Sequence, residues 1–99
     1  MTMFDLESQF QAEVCKRARA LGCLVFHPQN VKKSVAGFPD LTIAGKRGFM
    51  FRELKMQNGR VSPAQKEWLD KLTAAKADAA VWRPTDWPER VTAELQAIA

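Results

Sequence analysis

The chain has one histidine, two cysteines, no internal repeat and no low-complexity segment. No apolar run approaches the ~18 residues that cross a membrane, so a helical membrane span is not expected. Asp5 and Glu7 argue against reading the start as a secretory leader. Cys15 and Cys23 have seven residues between them and form no CxxC pair. That spacing suits neither a zinc site nor a disulfide framework, and fits two reduced thiols in a cytoplasmic protein. His27 follows an apolar stretch, precedes Pro28 and has no partners at ligand spacing, so it is expected to face a loop or be hydrogen-bonded.

What is present is typical of a globular chain. Ninety-nine residues, 46% apolar and 26% charged, make one domain (1–99) with a modest core. The net charge of +4 is uneven. Residues 1–60 hold ten Lys/Arg against five Asp/Glu, whereas residues 61–99 hold five against six. A basic first part fits a nucleic-acid partner, and equally a merely basic surface.

Leu6 to Leu21 has helical periodicity, with Leu6, Phe10, Val14 and Leu21 in one stripe and Gly22 as its stop. Glu13 and Arg17 fall inside that stripe. They read as an i,i+4 ion pair at the core edge, or Glu13 reaches an inward site. Cys23 to His27 reads as a short buried strand, and Gln29 to Phe38 as a loop bearing Lys32 and Lys33. Asp40-Leu41-Thr42-Ile43-Ala44 and Phe49 to Lys55 read as two strands joined by a turn at Gly45-Lys46-Arg47-Gly48. Ser62-Pro63-Ala64-Gln65 opens a helix, with Ser62 as N-cap, Pro63 first and Gln65 at the capping-box position. Trp68, Leu69 and Leu72 line its apolar face. Ala79 to Arg83 reads as a fourth strand, and a last helix from Thr85 turns Val91, Leu95 and Ile98 inward. The order α-β-β-β-α-β-α, with one helix between the third and fourth strands, predicts a mixed four-stranded α/β sheet with flanking helices.

The hairpin holds the chemistry. Pairing Ala44 with Phe49 sets Asp40 opposite Glu53, roughly 5 Å away on one face, and Lys55 two residues further on. Opposed like charges destabilise a sheet unless a cation lies between them. Mg²⁺ uses one or two carboxylates and leaves positions for water and phosphate. Asp40 and Glu53 supply that number, the Leu54 carbonyl is a plausible third oxygen, and Glu13 could reach the metal or its water shell. Lys55 could then orient a water and stabilise an oxyanion. The bland alternative makes Asp40 a turn residue, Glu53 and Lys55 a solvated strand face, and Gln65 only a cap. Against it, Phe49 and Phe51 share the face, so its other end should be buried. Lys32, Lys33, Lys46 and Arg47 are either solvated charges or phosphate contacts.

Pro39-Asp40 followed by Glu53-Leu54-Lys55 resembles the signature of the PD-(D/E)XK nucleases. With Gly37-Phe38-Pro39-Asp40-Leu41, Phe51-Arg52-Glu53-Leu54-Lys55 and Gly59-Arg60-Val61-Ser62-Pro63-Ala64-Gln65 in order, the chain resembles the virus-type replication-repair nuclease (VRR-NUC) domain. The resemblance runs roughly from Glu13 to Arg83 and implies a restriction-endonuclease-like core. It implies a Mg²⁺-dependent DNA endonuclease (Mn²⁺ substituting), often acting on branched or junction DNA. Asp40 and Glu53 would be metal ligands, Lys55 catalytic, Gln65 a site residue and Glu13 the first-helix acid. Lys32, Lys33, Lys46, Arg47 and Arg60 would contact DNA. A domain without an attached helicase looks like the phage versions, which places it in the nucleoid or in phage-infected bacterial cytoplasm. Symmetric junction cutting would need a homodimer, with Trp82, Trp87 and the last helix as candidate contacts. A non-cleaving DNA-binding module and a salt-bridged interaction protein are the alternatives.

Overall fold

The computed structural model describes residues 4–28 and 35–99; Lys32 and Lys33 lie outside them. The elements are α1 (Glu7–Ala20), β1 (Leu24–Phe26), β2 (Leu41–Ala44), β3 (Phe49–Leu54), α2 (Pro63–Ala74), β4 (Ala79–Trp82) and α3 (Glu89–Ile98). A single 3-10 turn, Pro84–Asp86, separates β4 from α3, so the last helix starts later than Thr85. The four strands form one sheet in the order β1-β2-β3-β4. β1, β2 and β3 pair antiparallel, and β3 pairs parallel with β4 across the α2 crossover, giving the expected mixed sheet. No helix among the described residues is long and apolar enough to cross a membrane.

Strand alternation divides the sheet into two unlike faces. One face presents Val25, Leu41, Ile43, Met50, Leu54 and Trp82 to α1 and α3, and with Phe10, Val14, Cys15, Ala18, Val91 and Leu95 it makes the core. Arg52 is also on this face, 2% exposed. Its guanidinium stacks on the Trp82 ring, pairs with Asp78 at 2.9 Å and donates to Glu94 at 2.9 Å. Glu94 also accepts from the Trp82 indole, so one carboxylate ties α3 to β3 and β4. Trp82 is therefore spent in the core, and so is the apolar face of α3. Neither is free for a second chain. Trp87 lies edge-on to Phe4 and beneath the Arg17 guanidinium.

The other face presents Leu24, Phe26, Ala44, Phe49, Phe51 and Glu53, and α2 covers only its β3–β4 side. α2 has no fully buried residue. Phe38 meets Trp68 and Phe51 edge to face, and Phe51 meets Phe49 likewise. Phe49 nevertheless stays 57% exposed, so the expected burial of this end of the face is not found. β1 is not a buried strand either: Leu24 is 77% and Phe26 61% exposed, because β1 is an edge strand with only its Val25 side on the core.

The β2–β3 turn is fixed by α3. A side chain on Gly45 would collide with the backbone of Ile98 and Ala99. Arg47 donates its backbone N–H to the Ile98 carbonyl at 2.8 Å, and its guanidinium to the carbonyls of Gln96 at 2.7 Å and Ala99 at 3.2 Å. These are the open C-terminal carbonyls of α3, which carry partial negative charge. Arg47 thus serves as a helix C-terminal clamp, a role its loop position, read as a solvated charge or a phosphate contact, did not suggest. The turn also lies at the end of β2 away from Asp40, about 13 Å along the strand, so Lys46 and Arg47 are not beside the carboxylates. Arg47→Ala should lower stability by about 1 kcal/mol and leave the salt dependence of DNA binding unchanged. Thermal melting and a binding-versus-salt series check this, and a flattened salt slope with an unchanged melt would contradict it.

Candidate active site

The ladder Leu41↔Arg52 to Ala44↔Phe49 is the register expected from the turn, and its next step sets Asp40 opposite Glu53. Asp40 stands just before β2, where Oδ2 accepts the Leu54 N–H at 2.8 Å. The recorded Leu54 contact is thus its N–H, while its side chain is wholly buried in the core. Glu53 is only 2% exposed. Its Oε2 accepts from Gln65 Nε2 at 2.9 Å and lies 3.8 Å from Lys55 Nζ. Its Oε1 is buried with no hydrogen-bond partner. Burial pushes the Glu53 carboxyl up to about 8, reinforced by repulsion from Asp40 and by a hydrogen bond between the two carboxyl groups.

Gln65 has two tasks at once. Its Oε1 accepts the Ser62 N–H at 2.8 Å, and its own N–H bonds the Ser62 hydroxyl at 3.2 Å, completing the capping box. That fixes the amide so that its NH₂ end points at Glu53. Gly37 brings α2 into range. It has φ +85° and abuts the backbone of Ala64 and Gln65, where any Cβ would collide. The glycine of the Gly-Phe-Pro-Asp stretch is thus a contact surface for the N-terminus of α2.

The first-helix acid differs from expectation. Glu13 is exposed and lines a cleft of about 670 Å³ with Phe4, Arg17 and Trp87, apart from Asp40 and Glu53. Arg17 bonds Thr92 at 2.7 Å, so the alternative Glu13–Arg17 pair is absent as well. Glu7 stands near the site instead. Burial raises its carboxyl above the ordinary value, repulsion from Asp40 raises it further, and Lys55 opposes both. The reason is helical phase. The buried residues of α1 are Phe10, Val14, Cys15 and Ala18, while Leu6 is the N-cap and 58% exposed. Counting Cys15 and Ala18 turns the inner face by roughly 60° at 100° per residue, toward Glu7 and away from Glu13. Those two small residues were the signal.

A second group has no place in the motif. Arg83 Nη1 donates to the carbonyls of Met56 at 2.8 Å, Gln57 at 3.3 Å and Gly59 at 2.8 Å. It holds the loop from Lys55 to Ser62, whose Gly59 lies against the Lys55 stem. Arg60 is exposed on this loop.

Among the described residues no three His, Cys, Asp or Glu side chains are gathered closely enough to cage a metal. A two-carboxylate site for Mg²⁺ needs no such cage. The residues fit a cation on their own terms: two carboxyls repel each other, one of them is buried, and that one has an orphaned oxygen.

The VRR-NUC domain matches residues 2–86 of the chain. The chain belongs to the VRR-NUC family. A Fanconi-associated nuclease 1 homolog of Schizosaccharomyces pombe is 42% identical over 55 residues, which are 54% of this chain and 8% of that protein. The chain therefore matches a small part of that relative. A solved VRR-NUC domain superposes with TM-score 0.67 at 28% identity, covering 76% of this chain and 81% of its own. A solved VRR-NUC domain protein superposes with TM-score 0.70 at 22% identity, covering 99% and 89%, and shares the fold. The mixed sheet with flanking helices is thus the VRR-NUC fold, and the family is one of nucleases.

The raised Glu53 carboxyl has a consequence for stability. Between its ordinary 4.5 and about 8 the folded state holds more protons than the unfolded state. Stability of the metal-free protein must therefore fall as pH rises through that window. Glu53→Gln keeps the shape and stays neutral, so in chelator at pH 8.5 it should melt above the unsubstituted protein, and the two curves should converge toward pH 5.5. Parallel melting curves across that range would contradict the assignment.

Proposed function

We propose that this VRR-NUC domain is a divalent-metal-dependent DNA endonuclease, using Mg²⁺ with Mn²⁺ able to substitute, and acting as a homodimer on branched or junction DNA. The observation that carries this reading is the buried, unpartnered Glu53 Oε1 beside Asp40. A protein without use for a cation there would gain stability by replacing one of the two acids.

Asp40 and Glu53 are the residues that would hold the ion, and Glu7, whose carboxyl feels the charges of Asp40 and Lys55, would act on its water shell. Such an ion supplies Lewis-acid activation of a water and charge neutralisation at the attacked phosphate. Asp40 is held by the Leu54 N–H, and Glu53 by Gln65, so both acids are oriented before DNA arrives. Lys55, mostly buried beside Glu53, places an ammonium where negative charge develops on the phosphate oxygens. The exposed Arg60, on the loop after Lys55, would meet the flanking backbone.

Size and symmetry support the branched-DNA and homodimer reading. The radius of gyration is 12.9 Å, and a body this small spans about one duplex turn. One chain has one site and cuts one strand per encounter. Paired cuts need a second site related by a two-fold axis.

Incubation with duplex, flap and four-way junction DNA, in Mg²⁺, Mn²⁺ or chelator, tests the reading. Cleavage should require metal, and Asp40→Asn should reduce it at least 100-fold while folding is kept. Cleavage in chelator would refute the metal dependence. Binding without cleavage under every condition would make this a DNA-binding module instead. In the same assay Glu7→Gln should slow cleavage about ten-fold or more and Glu13→Gln less than two-fold, with equal melting temperatures; the reverse order would return the first-helix role to Glu13.

A further inference from the structure

Lys55 is held in place by more than its charge. Its side chain is only 18% exposed, yet Nζ stands 3.8 Å from Glu53 Oε2. Among the described residues that ammonium makes no hydrogen bond. Fixing a lysine costs up to about 2 kcal/mol of rotamer entropy, which a contact that long does not offset. The packing of its stem must therefore hold it. The stem lies against Gly59, on the loop that follows β3. Whatever holds that loop holds Lys55.

The sheet does not hold it. Leu54 is level with Trp82, and the Lys55 N–H still donates to the Trp82 carbonyl at 3.1 Å. In a parallel ladder the Lys55 carbonyl would next accept from residue 84. That residue is Pro84, which has no N–H, so the ladder stops. One step past Leu54 and Trp82, Lys55 is level with Arg83. The Arg83 backbone is extended, so alternation sends its side chain to the face of Glu53 and Lys55. There a single nitrogen, Nη1, donates to the Met56 and Gly59 carbonyls at 2.8 Å each, with that of Gln57 at 3.3 Å. The base of the side chain is fixed as well, because Asp86 Oδ2 accepts the Arg83 N–H at 2.8 Å. Arg83 takes over where the ladder ends.

We propose that Arg83 is a positioning residue for DNA cleavage: it pins the loop whose Gly59 confines the Lys55 stem, and so keeps the ammonium turned to Glu53. This rests on the nuclease reading of Asp40, Glu53 and Lys55, and adds the residue that sets the reach of the lysine. The rival role for an arginine on this face is a phosphate contact. Against it, both Nη1 hydrogens have carbonyl acceptors at 2.8 Å and are taken before DNA arrives. Because one nitrogen meets all three carbonyls, the planar fork of arginine is not needed, and an ammonium at that place would serve.

Single-turnover cleavage of flap and four-way junction DNA in Mn²⁺, DNA affinity across a salt series, and melting curves compare the wild type with Arg83→Ala and Arg83→Lys. Arg83→Ala should slow cleavage about 20-fold or more, with affinity within about two-fold and the salt slope kept. Arg83→Lys should cut within about five-fold of the wild-type rate. If Arg83→Ala does not melt cooperatively, Arg83→Gln, which keeps a donor for one carbonyl, takes its place. Acetic anhydride labelling read by mass spectrometry follows the lysine itself. Measured against the exposed Lys66, Lys55 should react about five-fold faster or more once Arg83 is replaced by Ala or Gln. A folded Arg83→Ala that cuts at the wild-type rate, or Lys55 labelling that does not change, overturns the inference. So does a fall in affinity that matches the fall in rate and comes with a flatter salt slope, which would make Arg83 a phosphate contact. Faster Lys55 labelling in a protein that never cuts DNA upholds the hold on Lys55 and refutes the nuclease reading instead.

Discussion

Two carboxyl groups held side by side in a buried place set the terms for this protein. The β2–β3 register puts Asp40 across from Glu53, and Glu53 is almost wholly covered. Like charges at that spacing repel strongly where water is excluded. The surrounding structure orients the pair without neutralising it. The Leu54 N–H holds Asp40, the Gln65 amide holds one Glu53 oxygen, and Lys55 stands 3.8 Å away, too far for a close hydrogen bond. A proton shared between the two acids, or a cation, resolves what remains. Gly37, the Ser62 cap and the Arg83 clamp all act through this arrangement by setting where α2 and its preceding loop lie.

Stability and chemistry occupy opposite faces of one sheet. On the core face Arg52 and Glu94 tie β3, β4 and α3 together around Trp82. On the other face the carboxylates sit at one end, and an apolar area stays open at the other. Alternation along β3 places Arg52 and Glu53 back to back, so neighbours in sequence serve separate ends.

Much of this was legible because it is local. Gly45 to Gly48 between two strand patterns fixed the hairpin and, through its register, the Asp40–Glu53 pairing. Ser62, Pro63 and Gln65 announced the start of α2 by cap chemistry alone, and one helix between two strands implied the parallel pair. What escaped depends on packing between distant segments. The inner face of α1 is set by Cys15 and Ala18 meeting the sheet, so a stripe drawn through Leu6 pointed at Glu13 when Glu7 is the nearer acid. β1 has a core strand's composition but an edge strand's position. Arg47 and Arg83 read as loop and strand-end charges, yet each is taken up by carbonyls 24 to 52 residues away in sequence. Local pattern does not show where a long side chain will find its acceptor.

The proposed role for the carboxyl pair is tested most directly by counting protons as metal enters. Mn²⁺ titrated into the protein at pH 7, by calorimetry in two buffers of different ionisation heat, gives stoichiometry and proton release together. One ion per chain, with release of up to about one proton that disappears in Glu53→Gln, is the result expected if a cation replaces the shared proton. Binding with no proton released, or no binding at millimolar Mn²⁺, would contradict it.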